Sequence, residues 1–314
     1  MTMSCRNPPS QDGLLLLDKP PGITSFTALG AIKKKLGTKK AGHTGTLDKF
    51  ASGLLVVLTG RYTRLAPFIT DMDKTYECVF EFGIQTTTLD PEGEVICARP
   101  APEKKVLLAA ASRFTGPLMQ RPPDFSAIHV NGKRASQRAR AGEKPVLKER
   151  PVTIYSFDVQ EYSPPFLSCR VSCGKGTYIR SLARDLAEAC GSCAYVKELK
   201  RMEVGPFFLK DAVSPEDFIP EKNLLAGRAV LEKLIPCPSL VVKESCLASL
   251  MAGKPLRDDF FHETSERGEP AEAPPQEEGR GRPCLVFTES GDLAALIERR
   301  ASFYAYRFVC GQPE

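Results

Sequence analysis

The feature that most constrains this chain is a polar loop, Ala41-Gly42-His43-Thr44-Gly45-Thr46-Leu47-Asp48-Lys49-Phe50-Ala51-Ser52-Gly53, that runs directly into the apolar stretch Leu54 to Leu58. Its glycines let the backbone turn tightly and come close to another molecule. The apolar stretch reads as a buried strand. The loop is therefore mounted on a rigid element, which is how binding and catalytic groups are commonly held. It carries one imidazole, the hydroxyls of Thr44, Thr46 and Ser52, and a single carboxylate, Asp48. An Asp after such a loop also serves as a helix cap or an Asx-turn. One His and one Asp without further spaced ligands make a poor metal site, so no metal is expected.

The chain around the loop alternates strands and helices. Leu14 to Leu17 reads as a buried strand, ended by the turn Asp18-Lys19-Pro20-Pro21-Gly22. Ser25 reads as an N-cap, with Phe26, Leu29, Ile32 and Leu36 at helical spacing behind it. Arg61 to Ile69 reads as helical, and Lys74 to Phe82 alternates with Tyr76, Cys78, Phe80 and Phe82 on one face. Tyr76 is by default a core tyrosine. Residues 83–94 are polar and turn-rich, and Glu103 to Phe114 reads as a helix closed by Gly116-Pro117. Val152 to Glu161 and Phe166 to Ser172 read as neighbouring strands. Gly174-Lys175-Gly176-Thr177 lacks the glycine spacing of a P-loop, which argues against a nucleoside triphosphate. Arg180 follows at the start of a helix, where the dipole disfavours a cation. It is either a surface Arg or one with a specific anionic partner. Tyr195 to Val204 reads as a strand, a helix runs around Asn223 to Leu234, and Pro236-Cys237-Pro238 marks a boundary. Leu240 to Val242, Cys284 to Thr288, Asp292 to Ile297 and Phe303 to Val309 suggest a small β-rich module. Its interruption at 262–282, rich in Pro, Gly and Glu, is expected to be disordered.

At 314 residues the chain has room for two domains, and 42% hydrophobic with 26% charged residues is ordinary for a globular protein. The net charge of +5 is mild, so its distribution matters more. Lysines 33, 34, 35, 39 and 40 cluster before the loop, and Lys133, Arg134, Arg138, Arg140, Lys144, Lys148 and Arg150 form a second group. Either group alone is explained by a solvated face. Two of them flanking one loop point to a polyanion, first of all a nucleic acid. No signal-peptide core or membrane-length apolar stretch occurs, so a cytoplasmic protein is expected, and its eleven cysteines read as thiols. Cys169-x3-Cys173 with Cys190-x2-Cys193 only superficially resembles a zinc pattern.

Gly42-His43-Thr44-Gly45-Thr46-Leu47-Asp48 with Ala51-Ser52-Gly53-Leu54-Leu55 resembles the signature of the bacterial tRNA pseudouridine-55 synthases, the TruB family. Leu17-Asp18-Lys19-Pro20, Lys74-x-Tyr76, Ser172-x-Gly174-Lys175-Gly176-Thr177-Tyr178-Ile179-Arg180 and Leu199-Lys200-Arg201 match in order and approximate spacing. The resemblance implies an α+β pseudouridine synthase fold with a mixed central sheet and flanking helices. It divides the chain into a disordered N-terminus (1–12), a catalytic domain (13–235) with an RNA-gripping insertion at about 124–150, and a PUA-like RNA-binding module (236–314). It makes Asp48 the essential aspartate, Tyr76 the tyrosine stacked on the target base and Arg180 the partner of the aspartate. Tyr178 and Leu199 become pocket-lining residues, and His43 a contact to RNA beside the extruded base. With the basic clusters, it adds Lys19, Gly42, Thr44, His129, Lys133 and Arg134 to the RNA-contacting set. The partner implied is the T-stem-loop of tRNA, with no cofactor, no membrane, no protein partner and a monomeric chain.

The chemistry fits these residue types. Conversion of uridine to pseudouridine breaks N1–C1′ and remakes the bond at C5, without redox change or net hydrolysis. An aspartate nucleophile can open a glycosidic bond, and one carboxylate suffices if the detached uracil stays and rotates. Attack on uracil C6 and elimination to a glycal are further routes for the same carboxylate. The target base must leave its folded loop, and aromatic stacking offsets part of that cost. Two departures stand out. Phe125-Ser126-Ala127-Ile128-His129 replaces the family's Tyr-Ser-Ala followed by lysine, and Thr86-Thr87-Thr88 replaces Thr-Asp-Thr, with Asp90 nearby. The rival readings are an RNA-binding or remodelling protein without chemistry, and a guide-RNA-dependent relative acting on ribosomal RNA.

Overall fold

A computed structural model describes residues 12–130, 132–262, 281–300 and 303–310. The elements run β1 (Gly13–Lys19), α1 (Ser25–Leu36), β2 (Ala41–His43), β3 (Ser52–Thr59), α2 (Ala66–Thr70), β4 (Lys74–Phe82), β5 (Ile84–Thr86), β6 (Val95–Ala98) and α3 (Lys104–Ala111). Then follow β7 (Gly116–Gln120), β8 (His129–Val130), β9 (Lys133–Arg134), α4 (Ala135–Arg140), β10 (Arg150–Ser163), β11 (Phe166–Cys173), α5 (Ile179–Ala189), β12 (Ala194–Val204) and β13 (Phe207–Phe208). The chain closes with α6 (Pro220–Asn223), α7 (Arg228–Leu234), β14 (Ser239–Val241), α8 (Glu244–Met251), β15 (Arg282–Phe287), β16 (Leu293–Arg299) and β17 (Tyr304–Val309).

The central sheet has the order β1-β3-β12-β4-β11-β10-β7, with β2 added to β3 and β13 to β12. Its one parallel pairing joins β3 to β12 at Lys200↔Ser52 and Arg201↔Gly53. Alternation explains why the apolar runs of β1 and β3 are continuous. Leu15, Leu17, Leu55 and Val57 face a core shared with α1, α3 and α5, while Leu14, Leu16, Leu54, Val56 and Leu58 face a second core on the other side. A strand buried on both faces needs apolar residues at every position. The second core also contains Leu231 and Leu234 of α7 and Leu285, Phe287, Leu293 and Leu296 of the C-terminal sheet. That sheet, β14-β15-β16-β17, keeps a further core of its own against α8. The module after residue 235 is thus packed on the back of the sheet that carries the loop.

Several local expectations are corrected. The N-cap of α1 is Thr24, whose hydroxyl accepts from Thr27 N, because Ser25 is buried and its hydroxyl is used elsewhere. Phe26, placed by periodicity on the apolar face, is 79% exposed. Residues 83–98 hold the hairpin β5–β6, and Gly116-Pro117 begins an edge strand paired to β10. The helix expected at 223–234 is split where Leu225 bridges to Leu14. The N-terminal segment 1–12, except Asp12, and most of the insertion 262–282 lie outside the described residues. Among the described residues no two cysteines form a disulfide. Among the described residues no group of three or more His, Cys, Asp or Glu could hold a metal, and no helix is long and apolar enough to cross a membrane.

Candidate active site

The loop between β2 and β3 is held from below. Leu47 is buried and plugs the core. Its N–H donates to the Ser25 hydroxyl at 2.9 Å, and that hydroxyl donates to the Leu47 carbonyl at 3.0 Å. The Lys49 carbonyl accepts from Gly22 N at 2.8 Å, and Ala51 N closes a turn onto the Asp48 carbonyl at 3.2 Å. With its neighbours fixed, the Asp48 side chain is left 37% exposed at the loop surface.

Arg180, in the first turn of α5, is only 5% exposed and reaches this carboxylate. Its Nε lies 2.9 Å from Asp48 Oδ2, and its Nη2 donates to Asp48 Oδ1 at 3.2 Å. This two-point grip fixes the carboxylate plane as well as its position. The remaining donors go to the Thr88 carbonyl (2.7 Å), the Phe125 carbonyl (3.0 Å) and Asp90 Oδ2 (3.3 Å). Asp90 is buried and accepts from the Thr88 hydroxyl at 2.5 Å and from Glu92 N at 3.0 Å. Burial pushes its carboxyl pKa up, against the opposing pull of these hydrogen bonds and Arg180. The turn that presents it contains Leu89 at φ 61°, a left-handed conformation unusual for a leucine. Sequence reasoning does not single out Asp90 as a site residue, because one Asp in a threonine-rich turn looks like turn chemistry. Phe125, a departure from the family pattern, contributes through its carbonyl. Thr87 closes the β5–β6 hairpin onto Glu94.

Tyr76, half-buried on β4, sits directly across from Arg201 of β12. Burial raises its phenol pKa, and the Arg201 charge pulls it back. Tyr178 stands at the N-cap of α5, clamped by Gln120. Its N–H donates to Gln120 Oε1 at 2.8 Å, and its carbonyl accepts from Gln120 Nε2 at 3.2 Å. Leu199 is buried on the same sheet face as Cys78. It lines a cleft of about 410 Å³ together with Phe50, Ser52, Cys78 and Lys200, which Asp48, Tyr76 and Arg180 do not line. His43 is half-buried in β2, with Nδ1 buried and without a partner among the described residues. Burial and the Arg201 charge hold its pKa below the ordinary value, which favours the neutral imidazole. Gly42 has open space where a Cβ would stand.

Two residues expected to contact RNA point elsewhere. Lys19 is fully buried, and its ammonium donates to the carbonyls of Pro20 (2.9 Å), Ile23 (2.8 Å) and Lys49 (3.5 Å). Burial lowers its pKa to about 8. It staples the turn after β1 to the loop. Thr44 is also buried, its hydroxyl donating to the Val56 carbonyl at 3.3 Å. His129, Lys133 and Arg134 are exposed on the β8–β9 hairpin, with Arg140, Lys144, Lys148 and Arg150 exposed beyond it. This segment is anchored by Ala135, whose N–H donates to the Ile128 carbonyl at 2.7 Å, and by buried Leu147.

Residues 33–179 match the model of the TruB family pseudouridylate synthase N-terminal domain. The tRNA pseudouridine synthase B of Treponema denticola is 46% identical over 242 residues, covering 67% of this chain and 68% of that protein. That of Paenarthrobacter aurescens is 36% identical over 299 residues, covering 93% and 92%. Among solved structures, a chain of a Cbf5–Nop10–Gar1 complex superposes with a TM-score of 0.67 at 25% identity, covering 96% of this chain and 85% of that one. The chain belongs to the TruB family of pseudouridylate synthases.

Proposed function

We propose that this protein isomerises uridine-55 in the T-loop of tRNA to pseudouridine, with Asp48 as the nucleophile. The observation that carries the reading is the Asp48–Arg180 grip: a buried guanidinium holds both oxygens of a carboxylate that stays open to solvent. The target nucleotide is flipped out of the loop, and Asp48 attacks C1′ as N1 leaves. The free uracil stays against the Tyr76 ring, turns to present C5, and C5 recaptures C1′ as Asp48 departs. The C5 proton is then lost and N1 gains one, so atoms balance without a co-reactant. Neutral His43 is suited to crowd against RNA beside the extruded base. The exposed cations of 133–150 grip tRNA phosphates, so binding falls with salt. The protein acts as a monomer, in the cytoplasm and without a protein partner.

A guide-dependent role on ribosomal RNA is disfavoured by the stronger likeness to a bacterial tRNA pseudouridine synthase B, 36% identical over nearly the whole chain, against 25% for the Cbf5 chain. The test is incubation with an unmodified tRNA transcript, without guide RNA or cofactor, followed by mapping of pseudouridine. Product at position 55, lost when that uridine is replaced by cytidine, is expected. Intact binding with no product would leave an RNA-binding protein instead.

A further inference from the structure

Arg201 is the second buried arginine of the site and differs from the first. It is 3% exposed, yet among the described residues no carboxylate lies within ion-pair distance of it. Two of its donors are spent on backbone: Nε donates to the Leu54 carbonyl at 2.7 Å, and Nη2 to the Gly45 carbonyl at 3.0 Å. An uncompensated buried cation is costly, so the fold goes to some length to keep it there. Gly53, at φ +100°, brings β3 against β12 so tightly that a Cβ would stand 2.4 Å from the Arg201 carbonyl oxygen. Arg201 is the direct cross-strand neighbour of Tyr76, so the two side chains stand on one face of the sheet. Its charge also acts on His43 and Lys19, on either side of the loop. Arg180 faces two carboxylates, Asp48 and Asp90, whereas Arg201 is held by backbone carbonyls.

We propose that Arg201 is a positioning residue for the isomerisation, acting through Tyr76: anchored on the Gly45 and Leu54 carbonyls, it fixes the phenol so that the ring holds the detached uracil in one place. This rests on the functional reading above. A base that must leave C1′, turn and return in register depends on the surface that carries it, and misplacing such a surface by about 1 Å can cost a rate ~100-fold. A lysine at 201 keeps the charge but has no planar fork to span the two carbonyls beside Tyr76.

The test uses full-length protein uniformly labelled with 3-fluorotyrosine, the Tyr76 resonance being assigned by its loss in Tyr76→Phe. Arg201→Gln is expected to lower the single-turnover rate on tRNA by ~100-fold with Kd within ~3-fold of wild type, and Arg201→Lys to recover ~10-fold of that loss. In both variants the Tyr76 fluorine resonance should move while those of Tyr304 and Tyr306 stay. If Arg201→Gln does not fold, the lysine variant carries both readouts. Unchanged rates, an unmoved Tyr76 resonance, or movement of every tyrosine with loss of binding would each overturn the positioning role. Absence of pseudouridine with the wild-type protein would instead overturn the functional reading.

Discussion

Replacing Arg180 by lysine tests the grip on Asp48, the proposed nucleophile, with the least change in charge. Arg180 holds Asp48 through two contacts, 2.9 Å from Nε and 3.2 Å from Nη2. A lysine ammonium, anchored on a shorter and flexible stem, makes at best one of them. One charge-assisted hydrogen bond is worth about 1.5–3 kcal/mol, and the in-plane alignment of the carboxylate goes with it. A loss of about 2–3 kcal/mol in the transition state corresponds to a rate about 30- to 150-fold slower. Arg180→Lys also leaves the Thr88 and Phe125 carbonyls short of a donor, so the melting temperature should fall as well. The assay is single-turnover pseudouridine formation on a T-stem-loop, with RNA binding and thermal unfolding measured on the same preparation. A rate within about threefold of wild type, with the expected loss of stability, would refute the reasoning, since about threefold is under 1 kcal/mol.

Four further outcomes are expected. Gly53→Ala should fail to give stable protein, because φ +100° and the 2.4 Å clash leave no room. Gly42→Ala meets nothing within 4 Å, so it should melt near wild type while weakening RNA binding; equal stability of the two variants would contradict this. His43 has a lowered pKa, so its imidazole is protonated more readily in the unfolded chain. Its contribution to stability is intact above the ordinary histidine value of about 6.5 and is lost as pH falls from there through the folded value. His43→Gln should therefore flatten the stability loss between about pH 7 and pH 5, and an unchanged profile would count against it. Lys133→Ala with Arg134→Ala should weaken tRNA binding and reduce the slope of log K against log salt by about one for each phosphate no longer neutralised; an unaltered slope would remove these residues from the interface.

The core of the site is readable in the sequence because its parts are written in local patterns. The apolar runs after Gly13 and Gly53 read as buried strands. Arg180 stands out because the dipole disfavours a cation at a helix N-terminus, and Asp48 because it is the loop's one carboxylate. What escapes is decided by tertiary burial. Asp90 and Arg201 lie in segments whose local pattern is that of any turn or strand, and only the folded chain brings them beside Arg180 and Tyr76. Lys19, which the resemblance adds to the RNA-contacting set, is held inside by three converging carbonyls. Phe26 reads as core from its spacing, yet the narrow apolar stripe of α1 is filled by Ala28, Leu29 and Ile32. The packing of the C-terminal module on the loop-bearing sheet is likewise invisible in the sequence, because the residues that meet there lie far apart in the chain.

The central claim is that the Asp48 carboxylate forms and breaks the bond at C1′. Asp48→Asn keeps the size of the side chain and one oxygen for Arg180 while removing the nucleophilic charge. Its single-turnover reaction with unmodified tRNA, scored by pseudouridine at position 55, is the most direct measurement. Asp48→Asn should bind tRNA within about threefold of wild type and give no product. Pseudouridine formed by Asp48→Asn at a rate approaching that of wild type would contradict the claim.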